Sequence, residues 1–448
     1  MLNTYRVVIS LLSLMVMLAV SPTSVQAQFT NFQFGNRVGG VKVNPNGVLD
    51  QATREDVHMS EMTGTLNGAK LSDSADYRKL SLRVLNQIVK DSVQNNSPIP
   101  VEARHLAGLM RIERVVIDRE HNDLILMGPA EALVVNQAGD VVGAKSGMPA
   151  LQLEDLMTAL QTVEAATTGQ GVSVSIEPSN EGRLAFKRVT AAAQRSGASA
   201  QAVVSSLESE MGNQNVILTG IPTDTRFANV LALADYKMKR ISMGLDQSPL
   251  KSLPSFLSML TKSTNLSALT PRFWMEMDYQ PVTHNTDKTV WQLNGVGVKT
   301  LTETDVMNAN GSTVGTGRAN PLAAKWAETM TKNYEALMQV EPIFGELRNV
   351  FDLAVMAALI DKEQMLTKAG LELDGLTKSY EALHQWNAPN SVPTTASVVA
   401  ARRGNVVAAS GGVQLDPWTV VSNVKVDDKL SVVFNEVKGT DGTALFWD

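Results

Sequence analysis

Three basic residues, Arg226, Lys237 and Arg240, lie along one margin of the most strongly amphipathic segment in the chain. At 100° per residue, Phe227, Val230, Leu231, Ala234, Met238 and Ile241 cover an arc of about 100°, a face suited to burial. The helix expected over 223–243 follows directly on an apolar strand, 215–221. Its first N–H groups are therefore free to meet an anion: phosphate, carboxylate or an acidic sugar. Thr223 is placed to cap it, and Asp235 and Lys239 form an i,i+4 pair on the opposite side. Lys237 and Arg240 lie about 16 to 21 Å further along the axis than Arg226. One small anion cannot touch all three, so the partner this margin fits is an acidic protein surface or an anionic polysaccharide. The competing reading is that the three basic side chains line the edge of a core and pair with acids of a neighbouring element.

Acid–base chemistry has three weaker candidates, Glu131, Asp352 and His105. His105, Asp118, His121, Asp123 and Glu131 are close in sequence, but the Asp-x-x-His-x-Asp run falls on an expected turn, where polar residues belong anyway. Asp352 shares the polar stripe of a Pro342 helix with Glu346, Arg348 and Asn349. Its apolar residues surround it almost completely, so the helix is expected to be central and Arg348–Asp352 to be an internal ion pair. No His-Glu-x-x-His spacing occurs, so no metal is expected, and no cofactor. Gly295-Val296-Gly297-Val298-Lys299-Thr300 lacks the spacing of a phosphate loop. Ser248-Pro249-Leu250-Lys251 lacks the companion motifs of a serine acyl-enzyme, and there is no Gly-x-Ser-x-Gly. Phe273, Trp274 and Trp291 are expected either in a small aromatic platform or, more in keeping with their type, in the core.

Composition narrows the field further. The 448 residues carry 39 Lys and Arg against 45 Asp and Glu, a net charge of −6, and no cysteine. Mild acidity argues against nucleic acid as a partner, and the lack of cysteine excludes disulfide scaffolds, thiol nucleophiles and iron–sulfur clusters. Arg6 precedes an uncharged run from Val7 to Val20, and Val25-Gln26-Ala27 is a small-x-small cleavage pattern. Residues 1–27 therefore read as a signal peptide, which places the mature chain outside the inner membrane, in the periplasm or beyond the cell. No later apolar stretch is long enough to anchor it.

The elements that must hold these residues indicate an α+β protein, with hairpins and mixed or antiparallel sheets packed by helices in two or three closely packed lobes. Region 28–165 reads as helices and hairpins, with hairpins from Gly40 to Leu49 and from Arg114 to Met127 and a helix from Glu102 to about Ile112. Region 166–270 alternates strand and helix and admits parallel pairing. Region 271–448 opens with strands at 272–279 and 290–298. It continues with a central helix pair over 321–362 and a strand-rich tail at 396–400, 406–409, 418–424 and 430–434.

Six blocks of the chain resemble an uncharacterised family of secreted proteins known chiefly from planctomycete bacteria. They are Leu106-Ala107-Gly108-Leu109-Met110-Arg111-Ile112; Met127-Gly128-Pro129-Ala130-Glu131; Thr225-Arg226-Phe227-Ala228 with Ala234-Asp235-Tyr236-Lys237-Met238-Lys239-Arg240; Glu341-Pro342-Ile343-Phe344 with Leu347-Arg348-Asn349; Phe351-Asp352-Leu353-Ala354; and Ala409-Ser410-Gly411-Gly412-Val413-Gln414. Ala132-Leu133 departs from the tryptophan that often follows the second block. The resemblance implies export and a unit spanning about 38–425, and it assigns no catalytic residue. The function that fits is an exported or cell-envelope protein that binds a partner without catalysis. The alternative is an extracellular hydrolase using Glu131 or Asp352 as acid or base.

Overall fold

The computed structural model describes residues 37–38, 41–43, 47–51, 74–137, 139–167, 171–260, 271–307, 313–379, 386–395, 410–437 and 442–448. The signal peptide and the strands expected at 396–400 and 406–409 lie outside these residues. In chain order the first elements are β1 (Arg37–Val38), β2 (Val41–Val43), β3 (Leu49–Gln51), β4 (Ala75–Ser81), α1 (Leu82–Gln94), α2 (Val101–Arg104), β5 (Arg114–Asp118), β6 (Asp123–Ala130), β7 (Leu133–Val135) and β8 (Val141–Gly143). Then come α3 (Leu153–Thr167), β9 (Val172–Pro178), α4 (Asn180–Ser196), α5 (Ala200–Glu210), β10 (Gln214–Thr219), α6 (Arg226–Ser242) and α7 (Phe256–Met259). They are followed by β11 (Pro271–Asp278), β12 (Val282–His284), β13 (Val290–Gln292), β14 (Gly297–Met307) and β15 (Thr313–Gly315). The helices α8 (Pro321–Lys332), α9 (Tyr334–Val340), α10 (Pro342–Lys362), α11 (Met365–Ala369) and α12 (Asp374–Lys378) come next. The last elements are β16 (Ser391–Val392), β17 (Ser410–Leu415), α13 (Pro417–Ser422), β18 (Val424–Val426), α14 (Ser431–Val437) and β19 (Phe446–Trp447).

The class is α+β. Two seven-stranded sheets, ordered β15-β14-β11-β17-β9-β10-β16 and β18-β12-β13-β5-β6-β4-β19, are joined by smaller sheets β1-β2-β3 and β7-β8. Pairing is antiparallel except for β11 with β17 and β12 with β18. Each large sheet takes strands from distant parts of the chain, so the regions read along the sequence exchange strands in space. One core cluster runs from Leu49 to Val421 across both sheets.

α10 is its axis: apart from Pro342, Ala354, Asp361 and Lys362, every residue of the helix is buried. Pro342 supplies the fixed φ of a first turn without needing an N–H. The aromatic core sits beside it, with the Phe273 ring 5.4 Å from Phe256 and 4.5 Å from Trp326. Phe273 and Trp291 are fully buried, as their type suggests.

Several expectations change. β9 and β10 pair antiparallel, not parallel, because two helices rather than one join them and return the chain on itself. Those helices, α4 and α5, pack on each other around Ala185, Val189, Val203, Leu207 and Met211, a core separate from the main one. The strands expected at 418–424 and 430–434 are largely helical. Asp416 accepts a bond from Thr419 N at 3.1 Å and Pro417 takes the first helical position, a start signal that outweighs the β-branched composition. The helix expected from Glu102 to Ile112 stops at Arg104, and Leu106 and Ala107 both have positive φ. The segment expected as one strand over 290–298 breaks into β13 and β14 at Gly295 and Gly297. Their φ values of 126° and 93° belong to glycine.

Candidate functional site

The chain's own acids already occupy the N-terminus of α6. Thr225, not Thr223, is the cap: its Oγ1 accepts from Ala228 N at 3.0 Å and donates to Pro222 O at 2.8 Å. Arg226 follows in the first turn, where a cation opposes the helix dipole. Its guanidinium turns inward and contacts Asp155 of α3 and, at 2.5 Å, Glu346 of α10, and the residue as a whole is 8 % exposed. Glu154 lies in the same field, its Oε2 accepting from Trp386 Nε1 at 2.6 Å. Burial works against the Arg226 charge, but Asp155 and Glu346 more than compensate and raise its pKa. Burial pushes Asp155 up to about 6 and Glu346 up to about 7, with Arg226 opposing both. His105 stands nearby; burial, then Arg104 and Arg226, lowers it to about 3, so its imidazole is neutral.

Lys237 and Arg240 form a second, shallower group at the other end of α6. Arg240 donates to Asp246 Oδ1 at 2.9 and 2.7 Å, and its guanidinium lies 5.4 Å from the Tyr236 ring centre. Lys237 Nζ reaches Asp246 at 3.1 Å and Glu341 at 3.3 Å. Arg240 suits this last turn, where it faces the negative end of the dipole. Arg226, Lys237 and Arg240 thus do not face one solvent-open concavity. The edge-of-core pairing describes all three, with Arg226 drawn wholly inside. Asp235 and Lys239 do pair, at 2.7 Å, but on a buried side of the helix. Lys239 Nζ also donates to Ile176 O and Gly411 O, tying α6 to β9 and β17.

A third group surrounds Asp352. Tyr279 Oη donates to Asp352 Oδ1 at 2.6 Å, and Arg111 Nη2 approaches the same oxygen at 3.4 Å. The expected Arg348–Asp352 bond does not form. Arg348 instead donates to Met110 O at 2.8 Å, in a slot open only because Gly297 has no side chain. A Cβ there would lie 2.8 Å from Arg348 Cγ. Burial lowers the Arg348 pKa, which Asp352 resists and Arg111 reinforces. Asp352 raises that of Arg111, and burial followed by Asp352 raises Tyr279 well above the usual phenol range. Arg348 Nε, Arg111 Nε and Asp352 Oδ2 have no protein partner.

The remaining acid–base candidates are dispersed. Glu131 Oε2 accepts from Lys145 N at 2.8 Å and Ser146 N at 2.9 Å, stapling the turn after β8. Gly143 is bare to admit it, since a Cβ would lie 2.5 Å from that oxygen. Glu131 and Asp352 have no bonding partner in common, and neither bonds His105. Asp118 holds His121 Nδ1 at 2.7 Å, while Asp123 accepts from Arg83 N at 2.9 Å at the start of α1. Among the described residues, no three His, Asp or Glu side chains are gathered to hold a metal ion.

Sequence reasoning did not find Asp155, Arg111 or Tyr279. Asp155 carried a signal, an acid in the first turn after Pro149. Arg111, next to last in one of the six blocks, is a lone charge among apolar residues. Tyr279 carried none.

Residues 174–256, from β9 to the start of α7, match a family described as "Protein of unknown function (DUF1598)". No curated protein and no solved structure matches the chain significantly.

Proposed function

We propose that this is an exported protein of the cell envelope that binds a partner and performs no catalysis. The observation that carries the reading is the use made of its charges. Asp352 and His105 are buried, and Glu131 is committed to backbone N–H groups. A general acid–base pair would instead need two groups converging on one open cleft. Export rests on the charge-poor, apolar first 27 residues and the small-x-small pattern ending at Ala27. Among the described residues, no helix is long and apolar enough to cross a membrane.

Co-sedimentation of the purified exported chain with isolated cell envelope tests the binding. The expected result is saturable retention with no envelope material released into solution. Release of soluble fragments that Asp352→Asn or Glu131→Gln abolishes would overturn this reading in favour of a hydrolase. N-terminal sequencing of the protein from the extracytoplasmic fraction should begin at Gln28, and a membrane-retained chain starting at Met1 would overturn cleavage.

A further inference from the structure

The cluster around Asp352 leaves hydrogen-bonding groups of both kinds unused. The protein bonds of its two guanidiniums leave through Nη2: to Gly295 O and Asp352 Oδ1 from Arg111, to Met110 O and Asn349 Oδ1 from Arg348. The Nε–H of each is buried without a protein acceptor, and Asp352 Oδ2, equally buried, is without a donor. Arg348 is 5 % exposed and Asp352 0 %. Groups so placed are nearly always satisfied, and an unmet N–H on a cation is costly.

The cluster is also short of negative charge. Neither arginine can shed its proton, and the Tyr279 hydroxyl is neutral and already spent on Asp352 Oδ1. Glu113 favours the Arg111 charge as well, but less than Asp352 does and without forming an ion pair. Arg348 has Asp352 as its one carboxylate, and Arg111 works against it. The cluster comes to the surface at the turn between β13 and β14. The Arg111 side chain is 18 % exposed there, Tyr279 is half-buried, and Val296 stands exposed between Gly295 and Gly297.

The missing partner must therefore carry negative charge, accept from two guanidiniums and donate to one carboxylate oxygen. Sulfate and an ionised carboxylate only accept, and each would set an oxygen lone pair against Asp352 Oδ2. Water can donate and accept but brings no charge. Phosphate that keeps one proton does all three, with bare oxygens for arginine and a P–OH for the carboxylate. We propose that this cluster is a phosphate site, Arg111 and Arg348 holding the bare oxygens and Asp352 Oδ2 accepting from the P–OH. The proposal does not rest on envelope binding. Inorganic phosphate and a phosphate monoester share the chemistry, and titration separates them.

Isothermal titration calorimetry of the purified chain with sodium phosphate, sodium sulfate and phenyl phosphate at matched ionic strength tests it. Saturable phosphate binding is expected, with sulfate weaker by about tenfold or more. A monoester keeps its P–OH only up to about pH 6, so phenyl phosphate should bind at pH 5 and fade by pH 8. Inorganic phosphate keeps one throughout. Binding of both at pH 5 assigns the site to a phosphorylated partner, and binding of inorganic phosphate alone to the free ion. Arg111→Gln, at the exposed rim, should weaken phosphate about tenfold while circular dichroism stays unchanged. Asp352→Asn puts a donor where the lone acceptor stood, so sulfate should then bind as tightly as phosphate. If that chain does not fold, the wild-type preference and Arg111→Gln decide. Sulfate matching phosphate on the wild type, unchanged phosphate binding in Arg111→Gln, or no binding at all overturns the site.

Discussion

Two charged clusters hang from α10 within two turns of each other, and they are unbalanced in opposite directions. At Glu346 two carboxylates share the single guanidinium of Arg226, with Glu154 close by. At Asp352 two guanidiniums, Arg111 and Arg348, face one carboxylate. The acidic cluster can relieve its excess by holding a proton, because burial, reinforced by the neighbouring acids, pushes Glu346 up to about 7 and Asp155 up to about 6. The basic cluster has no such outlet, since arginine does not deprotonate in proteins. It relies on fixed carbonyls instead, Met110 O for Arg348 and Gly295 O for Arg111 at 3.3 Å. Burying an excess of negative charge therefore makes stability depend on pH, whereas burying an excess of positive charge makes it depend on backbone geometry.

The sharpest way to break this contrast is to remove one member of each cluster and compare across pH. Asp352→Leu strands two guanidiniums, and the expected loss is about 3–5 kcal/mol, similar from pH 5 to pH 8, in urea unfolding. Arg226→Met strands acids that can protonate. Its loss should reach about 3–5 kcal/mol at pH 8 and fall by at least half at pH 5. Equal pH profiles for the two variants would end the distinction.

The wild-type pH dependence comes next in size. Asp155 and Glu346 have folded pKa values raised above their usual ones. Their contribution to stability is complete at about pH 4 and is lost as the pH rises through 6 and 7. Glu346→Gln should flatten that decline and match or exceed the wild type at pH 8, keeping an acceptor for Arg226. His105 acts in the opposite sense: its folded value is lowered to about 3, so its contribution is lost as the pH falls below about 6.5. His105→Gln should make the acid side of the profile shallower, as thermal melts between pH 4 and 7 will register. The smallest effect belongs to Asp246→Asn at the outer end of α6. There the part-exposed pairs with Lys237 and Arg240 are worth no more than about 1 kcal/mol, and less in high salt.

The spacing of apolar residues located α6 and α10, whereas apolar runs on either side of a polar turn located the Arg114–Met127 hairpin, and aromatic and β-branched content located the strand expected at 272–279. The tail was misread because Trp418-Thr419-Val420-Val421 looks like a strand in composition. The deciding signal, Asp416 followed by Pro417, lies just ahead of it. The basic margin of α6 was legible as a margin, but its partners were not. Asp155, Glu341 and Glu346 come from elements whose approach to α6 is set by tertiary packing, and only Asp246, in the turn just after α6, is local. Arg348 and Asp352 invited pairing at i,i+4, yet Gly297 opened a better slot for the arginine on β14, and nothing within α10 announces that.

The excursion formed by α4 and α5 has a consequence for how the molecule opens. β9 and β10 are adjacent antiparallel strands that a two-residue turn could join, yet residues 179–213 intervene and pack around a core of their own. Such a segment is a separate cooperative unit: it can melt and re-form while the sheet beneath it stays paired. Its backbone amides should exchange with deuterated solvent well before those of β9 and β10. Its length and its outward sequence are free to vary without the rest of the chain having to refold around the change.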